Sequence, residues 1–372
     1  MLTQLYVDNY KCLQNLELSF GEVCILMGRN GSGKSAVFEV LHALQRILCQ
    51  DDKPGDTFHA GTQTRWDDRR EQRVELVVRD VSEPAGKDFF VYRLAVEHDP
   101  TRGEPRVTSE HLLFCDQTLF EFVEGEMRLF RDDGSAGPTF PGDWRRSGLA
   151  RVVAGNDNTR LTWFKQWLGR LMVVRPNPAT MSGRAPAEDA LLAPDLRNFA
   201  SWYRHLAQEN PRVVYEAVSE AAKTLPGLTD LSLRIDEQRT GWLRAKLSAP
   251  GARDYVLDFE QLSDGQRVLL ALGVILDHQA DARRPLALDE PDNYVALAEV
   301  QPLLMRALDT ALDGSGAQLL VISHHPEFLN QLAPTHGLVF FRDGGGPTRT
   351  KAFQSSEALP AAELIARGVG DV

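Results

Sequence analysis

The chain has 372 residues, 43% of them hydrophobic and 25% charged, which excludes a disordered or fibrous protein and exceeds what one simple core requires. One large domain with a substantial insertion, or two lobes, is expected. A formal net charge of −11 excludes a surface coated with cations for indiscriminate binding of nucleic acid.

Cys12, Cys24, Cys49 and Cys115 form no C-x-x-C pair and no metal-ligand spacing, so a reducing, cytoplasmic compartment is expected. Met1 to Asp8 lack a basic start followed by an apolar core, and no apolar run has membrane-spanning length, so neither export nor a membrane is expected. Arg65 with Arg69 and Arg70, Arg145 with Arg146, and Arg283 with Arg284 are local cationic candidates, each read more simply as a solvated loop.

Leu2 to Val7 and Leu16 to Phe20 alternate apolar and polar residues and read as strands joined through Asn9-Tyr10-Lys11. Lys11 is a candidate neighbour of a bound nucleotide, with surface lysine the simpler reading. Val23 to Met27 is a continuous apolar run of buried-strand length. Directly after it, Gly28, Gly33, Lys34 and Ser35 fit the pattern G-x-x-x-x-G-K-[ST]. Glycines at 28, 31 and 33 permit positive φ, so the backbone of Asn30, Gly31, Ser32, Gly33, Lys34, Ser35 and Ala36 can turn N–H groups toward phosphate oxygens. In this pattern Lys34 reaches the β- and γ-phosphates and Ser35 offers a hydroxyl to Mg²⁺. Val37, Val40, Leu41, Leu44, Ile47 and Leu48 then recur at helical spacing, completing strand, loop and helix.

Gln50 to Arg70 is polar and turn-rich and reads as a loop. Val74 to Arg79, Phe89 to Val96, His111 to Phe114, and Thr118 to Val123 continuing through Met127 to Phe130 read as strands of an antiparallel sheet. Gly134 to Gly148 reads as a loop, and Asn158 to Leu171 as a helix with Leu161, Phe164, Trp167, Leu168 and Leu171 on one face. Pro176 and Pro178 keep the next stretch extended. Residues 195 to 223 read as an αα unit broken at Asn210-Pro211, followed by strands at Leu231 to Ile235, Trp242 to Leu247 and Val256 to Phe259.

Leu262-Ser-Asp-Gly-Gln-Arg267 opens a strongly apolar helix with Ser263 and Asp264 placed as caps. Pro285 to Asp289 is a short apolar strand ending in Asp289 and Glu290. At such a strand end beside a phosphate loop, Asp289 can hold Mg²⁺ and Glu290 can polarise an attacking water. Leu297 to Leu312 carries a helical stripe, and Gln318 to Ile322 is a second buried strand running into Ser323-His324-His325-Pro326. Adjacent residues on extended backbone point opposite ways, so His324 is the candidate sensor of a γ-phosphate and His325 belongs to the turn.

Taken together, Gly28 to Ser35, Leu262 to Gln266, Leu286 to Glu290 and His324 resemble the Walker A, signature, Walker B and switch-histidine motifs of ABC-type ATPases. Leu5-Tyr-Val-Asp-Asn-Tyr-Lys11 and Ser323-His-His-Pro-Glu-Phe-Leu329 look like the non-transporter branch of RecF, SMC and OLD-like proteins, with its compact prokaryotic AAA family ATPases. The likeness covers residues 1 to 50 and 255 to 345. It departs at Asp264, where transporters carry Gly, and at Asp292-Asn-Tyr-Val-Ala296, which does not match the usual dimer-contact loop. The family's Mg²⁺-sensing glutamine has only Gln63 and Gln166 as candidates.

The resemblance implies an α/β fold: a P-loop NTPase head of ABC type with a mixed central sheet, an antiparallel β subdomain and a helical lobe. Its divisions would be residues 1–150 with Walker A and the β subdomain, 151–255 with the helical lobe, and 256–372 with signature, Walker B and switch histidine. It implies ATP and Mg²⁺ as ligands, with Lys34, Glu290 and His324 catalytic, and Ser35 and Asp289 on the metal. It also implies a homodimer closed head to tail, in which Ser263, Gly265 and Gln266 meet the nucleotide of the second copy. The work implied is DNA handling, in repair or anti-phage defence. The alternative is a regulatory ATPase module that binds or restrains a separate effector protein, toward which the acidic balance leans.

Overall fold

In the computed structural model, which describes residues 1–81, 88–101, 103–251, 253–354 and 359–366, short apolar runs become strands and 3.6-residue stripes become helices. The chain opens with β1 (Leu2–Asp8), β2 (Leu16–Ser19) and β3 (Val23–Met27), then α1 (Lys34–Gln50) and the single turn α2 (Pro54–Thr57). A meander follows through β4 (Glu71–Arg79), β5 (Phe89–Glu97), β6 (Arg106–Phe114), β7 (Gln117–Val123), β8 (Glu126–Phe130) and β9 (Ala136–Pro141), closed by α3 (Thr159–Arg170). Next come β10 (Met172–Val174), β11 (Arg184–Ala185), α4 (Phe199–Glu209), α5 (Pro211–Thr224), β12 (Leu228–Ile235), β13 (Gly241–Leu247) and β14 (Tyr255–Asp258). The last part runs α6 (Asp264–Ala282), β15 (Pro285–Asp289), α7 (Leu297–Leu312), β16 (Gln318–Ile322), α8 (Pro326–His336), β17 (Gly337–Arg342), β18 (Thr348–Ala352) and α9 (Ala361–Ala366).

Two compact units result, one built from Met1–Leu171 with Thr335–Leu359, the other from Met172–Pro334. The first holds an antiparallel sheet in the order β2-β1-β4-β5-β6-β7-β8-β9. Strict alternation on β4 buries Val74, Leu76 and Val78, and Phe90, Tyr92 and Leu94 of β5 share that burial. On α3, Leu161, Phe164, Trp167 and Leu168 are buried, with Phe164 5.5 Å from the Tyr92 ring and Trp163 stacked on Phe90 at 4.7 Å. Each such fully buried side chain contributes about 1.5–3 kcal/mol relative to exposure. The carboxylate of Glu110 is also buried, and it accepts hydrogen bonds from Tyr92 Oη (2.8 Å), Ser147 Oγ (2.6 Å) and Gly148 N (2.9 Å). Those bonds offset part of the burial that pushes its pKa up. In the same unit β17 lies parallel to β3, with Leu26 opposite Leu338, and antiparallel to β18.

Gly134 to Gly148, expected as a loop, contains β9. That strand is exposed along its length and has no apolar alternation. Backbone pairing with β8, from Glu126↔Pro141 to Phe130↔Ala136, makes it a strand. For the same reason β6 begins at Arg106, before the apolar stretch that marks it in sequence. Within the expected loop 50–70 lie α2 and one 3₁₀ turn, Ala60–Thr62.

In the second unit β10, β15 and β16 run parallel, Val174 opposite Leu288 and Leu288 opposite Val321. Residues Pro285–Asp289 and Gln318–Ile322 are buried at every position, as expected of parallel strands covered on both faces. The αα unit forms as α4 and α5, with Pro211 at the first turn and Asn210 Oδ1 capping Val213 N at 3.4 Å. Its start shifts from 195 to Phe199, because Leu196 takes a positive φ of 61° and turns the chain into the helix. A second sheet places β13 in the centre, with β12 on one side and β11 and β14 in succession on the other.

Candidate functional site

The glycine loop belongs to the first unit. Gly28 has φ 137°, and a Cβ there would lie 2.1 Å from the Phe340 carbonyl oxygen of β17. Gly33, φ 103°, would set a Cβ 2.5 Å from Thr348 Oγ1 and 2.9 Å from Cys12 Sγ. The pattern's glycines therefore answer both to backbone twist and to close packing against neighbouring strands. Thr348 Oγ1 donates to Ser32 O at 2.8 Å, and Arg342 Nη1 donates to Gly31 O at 3.1 Å, holding the loop from outside.

Gly33 is the N-cap of α1 and supplies no side-chain acceptor, so the N–H groups of the first turn keep their capacity for an anion. Lys34 is buried, and its ammonium lies within the loop, donating to Gly28 O at 2.6 Å and Arg29 O at 3.0 Å. Ser32 Oγ is buried with no hydrogen-bond partner, an orphan that an oxygen-rich ligand in the loop would satisfy. Asn30 and Gly31 are exposed, Gly33 and Ser35 half-buried, and Ala36 buried. Beside the loop lies a cavity of about 280 Å³ lined by Arg29, Asn30, Gly31, Ser32, Phe341, Arg342 and Gly345.

Near that cavity stands a residue the sequence reading passed over. Trp66 is 47% exposed, its Nε1 donates to Gln14 Oε1 at 3.3 Å, and the Arg342 guanidinium sits 5.2 Å from its ring centroid. Arg342 thus touches both the glycine loop and the indole. An exposed tryptophan within a polar loop was the available signal.

Lys11 forms an ion pair with Glu39, in line with the surface reading. Arg69 is held bidentate by Asp8, at 2.5 and 3.0 Å, and by Asp67, so it braces the loop rather than offering a free cation. Arg146 pairs with Asp51 at 2.9 Å and Arg145 with Glu104 at 3.7 Å. Gln63 donates to Arg69 O at 3.5 Å, and Gln166 is exposed on α3.

The acidic strand end belongs to the second unit. Asp289 closes β15 and is buried, and Arg175, one residue past the neighbouring β10, brings Nε to 3.7 Å from Asp289 Oδ2. Glu290 follows with a positive φ of 51°, anchored by its own N–H to Ile322 O at 2.8 Å. That twist turns its carboxylate out of the strand direction. Asn293 Nδ2 donates to Glu290 Oε2 at 2.7 Å, and His324 Nε2 lies 3.6 Å from Oε1.

The two histidines separate as the alternation of extended backbone predicts. His324 is half-exposed at 49% beside Glu290, while His325 is buried, its Nε2 3.3 Å from Leu297 O and its Nδ1 accepting from Phe328 N at 3.4 Å. Asp292 Oδ2 accepts from His324 N at 3.2 Å and fixes the turn. Neither Arg175 nor Asn293 is a site candidate by sequence, because neither lies in a matching pattern.

At the start of α6, Ser263 and Gln266 form a reciprocal capping box: Gln266 N donates to Ser263 Oγ at 3.3 Å, and Ser263 N donates to Gln266 Oε1 at 3.0 Å. Asp264 is not a second cap. It is already the first helical residue, and its carboxylate pairs with Arg267. A Cβ on Gly265 would lie 3.1 Å from Tyr294 O, so this turn packs closely against the segment after Glu290.

Among the described residues no group of three His, Cys, Asp or Glu side chains could hold a metal by itself. Ser35 in the first unit offers a hydroxyl and Asp289 in the second a carboxylate, each by itself a hard oxygen donor of the kind suited to Mg²⁺. Among the described residues no helix is long and apolar enough to cross a membrane.

An SMC head bound to the C-winged helix domain of ScpA matches at TM-score 0.54 and 16% identity, covering 95% of this chain and 98% of that one. The chain has the fold of an SMC head domain. A second SMC head with an extended coiled coil, bound to the C-terminal domain of ScpA from Pyrococcus furiosus, matches at TM-score 0.54 and 12% identity, covering 94% and 96%. No family model and no curated relative matches the sequence. The SMC-head fold agrees with the expected α/β class, with its mixed and antiparallel sheets.

Proposed function

We propose that this chain is an ATP-hydrolysing head of the RecF, SMC and OLD-like kind, which closes on a second copy around ATP. The observation that carries the reading is the loop of Gly28 to Ser35, with Lys34 drawn inside it and Ser32 Oγ orphaned at its wall. Backbone N–H groups from Asn30 to Ala36 bind the phosphates, and Lys34 exchanges its carbonyl partners for phosphate oxygens. Ser35 and Asp289 would each offer an oxygen to Mg²⁺, which would supply neutralisation of charge on the phosphate oxygens.

Glu290 acts as the base toward water, oriented by Asn293, and His324 stands beside it to contact the γ-phosphate. The exposed start of α6, with Ser263, Gly265 and Gln266, serves the nucleotide of the second copy through its helix dipole. Trp66 supplies a flat face for the base, next to the cavity along the loop. Residues 1–150, 151–255 and 256–372 would act as Walker A part, helical lobe, and signature and Walker B part of one cytoplasmic enzyme.

The work driven is DNA handling. A regulatory module acting on a separate effector protein is the second reading, favoured by the net charge of −11. The test is a pair of variants. Lys34→Ala should abolish nucleotide binding, and Glu290→Gln should keep it while trapping an ATP-bound dimer in size-exclusion chromatography. Unchanged nucleotide affinity in the first, or parental turnover in the second, overturns the assignment.

A further inference from the structure

The sheet of β11 to β14 has one face packed inward and one turned outward. On its central strand β13, Leu243, Ala245 and Leu247 are buried, and Trp242, Arg244 and Lys246 take the opposite face. Register places Arg184 of β11 and Arg234 of β12 both directly opposite Trp242. Directly paired residues share a face, so the indole is flanked on both sides by arginines.

The two cations further along β13 are already neutralised, Arg244 by Asp258 at 2.8 Å and Lys246 by Asp254 at 2.9 Å. Arg184 and Arg234 are exposed, and neither guanidinium is within ion-pair distance of a carboxylate among the described residues. Trp242 keeps 39% of its surface exposed, and Asp236 Oδ2 accepts from its Nε1 at 2.9 Å, which fixes the ring by its edge. The result is an aromatic plate anchored by Asp236, with Arg184, whose charge also acts on that carboxylate, on one side and Arg234 on the other.

We propose that this face binds single-stranded nucleic acid, one unpaired base stacking on Trp242 while Arg184 and Arg234 grip the phosphates on either side. Two strand spacings, about 10 Å, separate the arginine backbones, leaving room for a base between them. A duplex keeps its bases paired and offers the indole nothing to stack on. An acidic peptide would satisfy the arginines and leave the ring uncovered. The net charge of −11 supplies no general attraction for phosphate, so such binding rests on the local contacts of this plate. This assignment deepens the DNA-handling reading and rests on it for purpose alone, since binding is measured without ATP and Lys34→Ala should leave it intact.

The test is fluorescence anisotropy of the full chain with a labelled oligothymidylate of about fifteen nucleotides, and with a duplex of equal length, across salt concentration. The single strand should bind more tightly than the duplex. Trp242→Ala should weaken it about tenfold, Trp242→Phe should retain most of the affinity, and Arg184→Ala or Arg234→Ala should each reduce the salt slope by about 0.7. Matching circular dichroism and thermal midpoints establish that the variants are folded. If Trp242→Ala does not fold, the Arg184→Glu/Arg234→Glu double variant decides, with lost binding expected. Three results would overturn the proposal: no binding of the oligothymidylate at low salt, binding indifferent to Trp242→Ala and to both arginines, or equal displacement by polyglutamate with no dependence on Trp242.

Discussion

Arg175 Nε lies 3.7 Å from Asp289 Oδ2, so a permanent cation faces the buried carboxylate proposed for Mg²⁺. A guanidinium and a divalent ion compete for the same charge. Replacing Arg175 with Gln should therefore lower the Mg²⁺ concentration at half-saturation of nucleotide binding by about threefold to tenfold. Calorimetric titration of a nonhydrolysable ATP analogue at graded Mg²⁺ measures it. An unchanged Mg²⁺ dependence would show that the pair serves packing alone.

Asn293 touches Glu290 Oε2 at 2.7 Å and is a positioning residue for the proposed base. Asn293→Ala should lower kcat about tenfold while leaving the affinity for ATP close to parental. Asn293→Asp sets a second negative charge against Glu290 and should move the acid limb of the kcat–pH profile upward. A loss confined to KM would remove Asn293 from this role.

Trp66 presents a half-exposed indole bridged through Arg342 to the glycine loop. Trp66→Ala should weaken ATP by about 1–3 kcal/mol, and Trp66→Phe should recover much of it, because the stacking face survives. Inorganic triphosphate, which has no base, should bind both variants and parent alike. Quenching of tryptophan fluorescence on nucleotide addition, absent in Trp66→Phe, gives an independent readout.

His278 on α6 is buried against Trp202, ring centroids 5.4 Å apart, and burial, with the nearby Arg284 and His205, pushes its pKa down to about 3. The folded state keeps the ring neutral, so below pH 6.5 the unfolded chain takes up the proton first. Its stability contribution is whole above about pH 6.5 and declines toward pH 3, by at most about 1.4 kcal/mol per pH unit. His278→Phe should flatten that part of the thermal-midpoint profile. A slope equal to the parent's would assign the acid sensitivity to other groups.

Legibility in the sequence followed the distance over which each feature is made. The stretch Val23 to Gln50 was readable as strand, loop and helix, since its apolar run, its glycines and its helical stripe are consecutive. His324 could be told from His325 because extended backbone alternates sides residue by residue. β9 was not legible: an exposed edge strand is made by the hydrogen bonds of its neighbour, and its own side chains carry no period. The second cap expected at Asp264 failed for a related reason, since the backbone angles of Ser263 alone decide where the helix begins.

Local chemistry therefore settled where glycines bend the loop, which helix starts are capped and which acids end a buried strand, because those properties depend on neighbours in the chain. Only folding could set Arg175 against Asp289, Arg342 between the loop and Trp66, or Trp242 between Arg184 and Arg234. Apart from Arg234 and Trp242, which face each other across one hairpin, those arrangements join segments far apart in the chain, and where strands meet, register, which no single segment contains, decides which side chains pair.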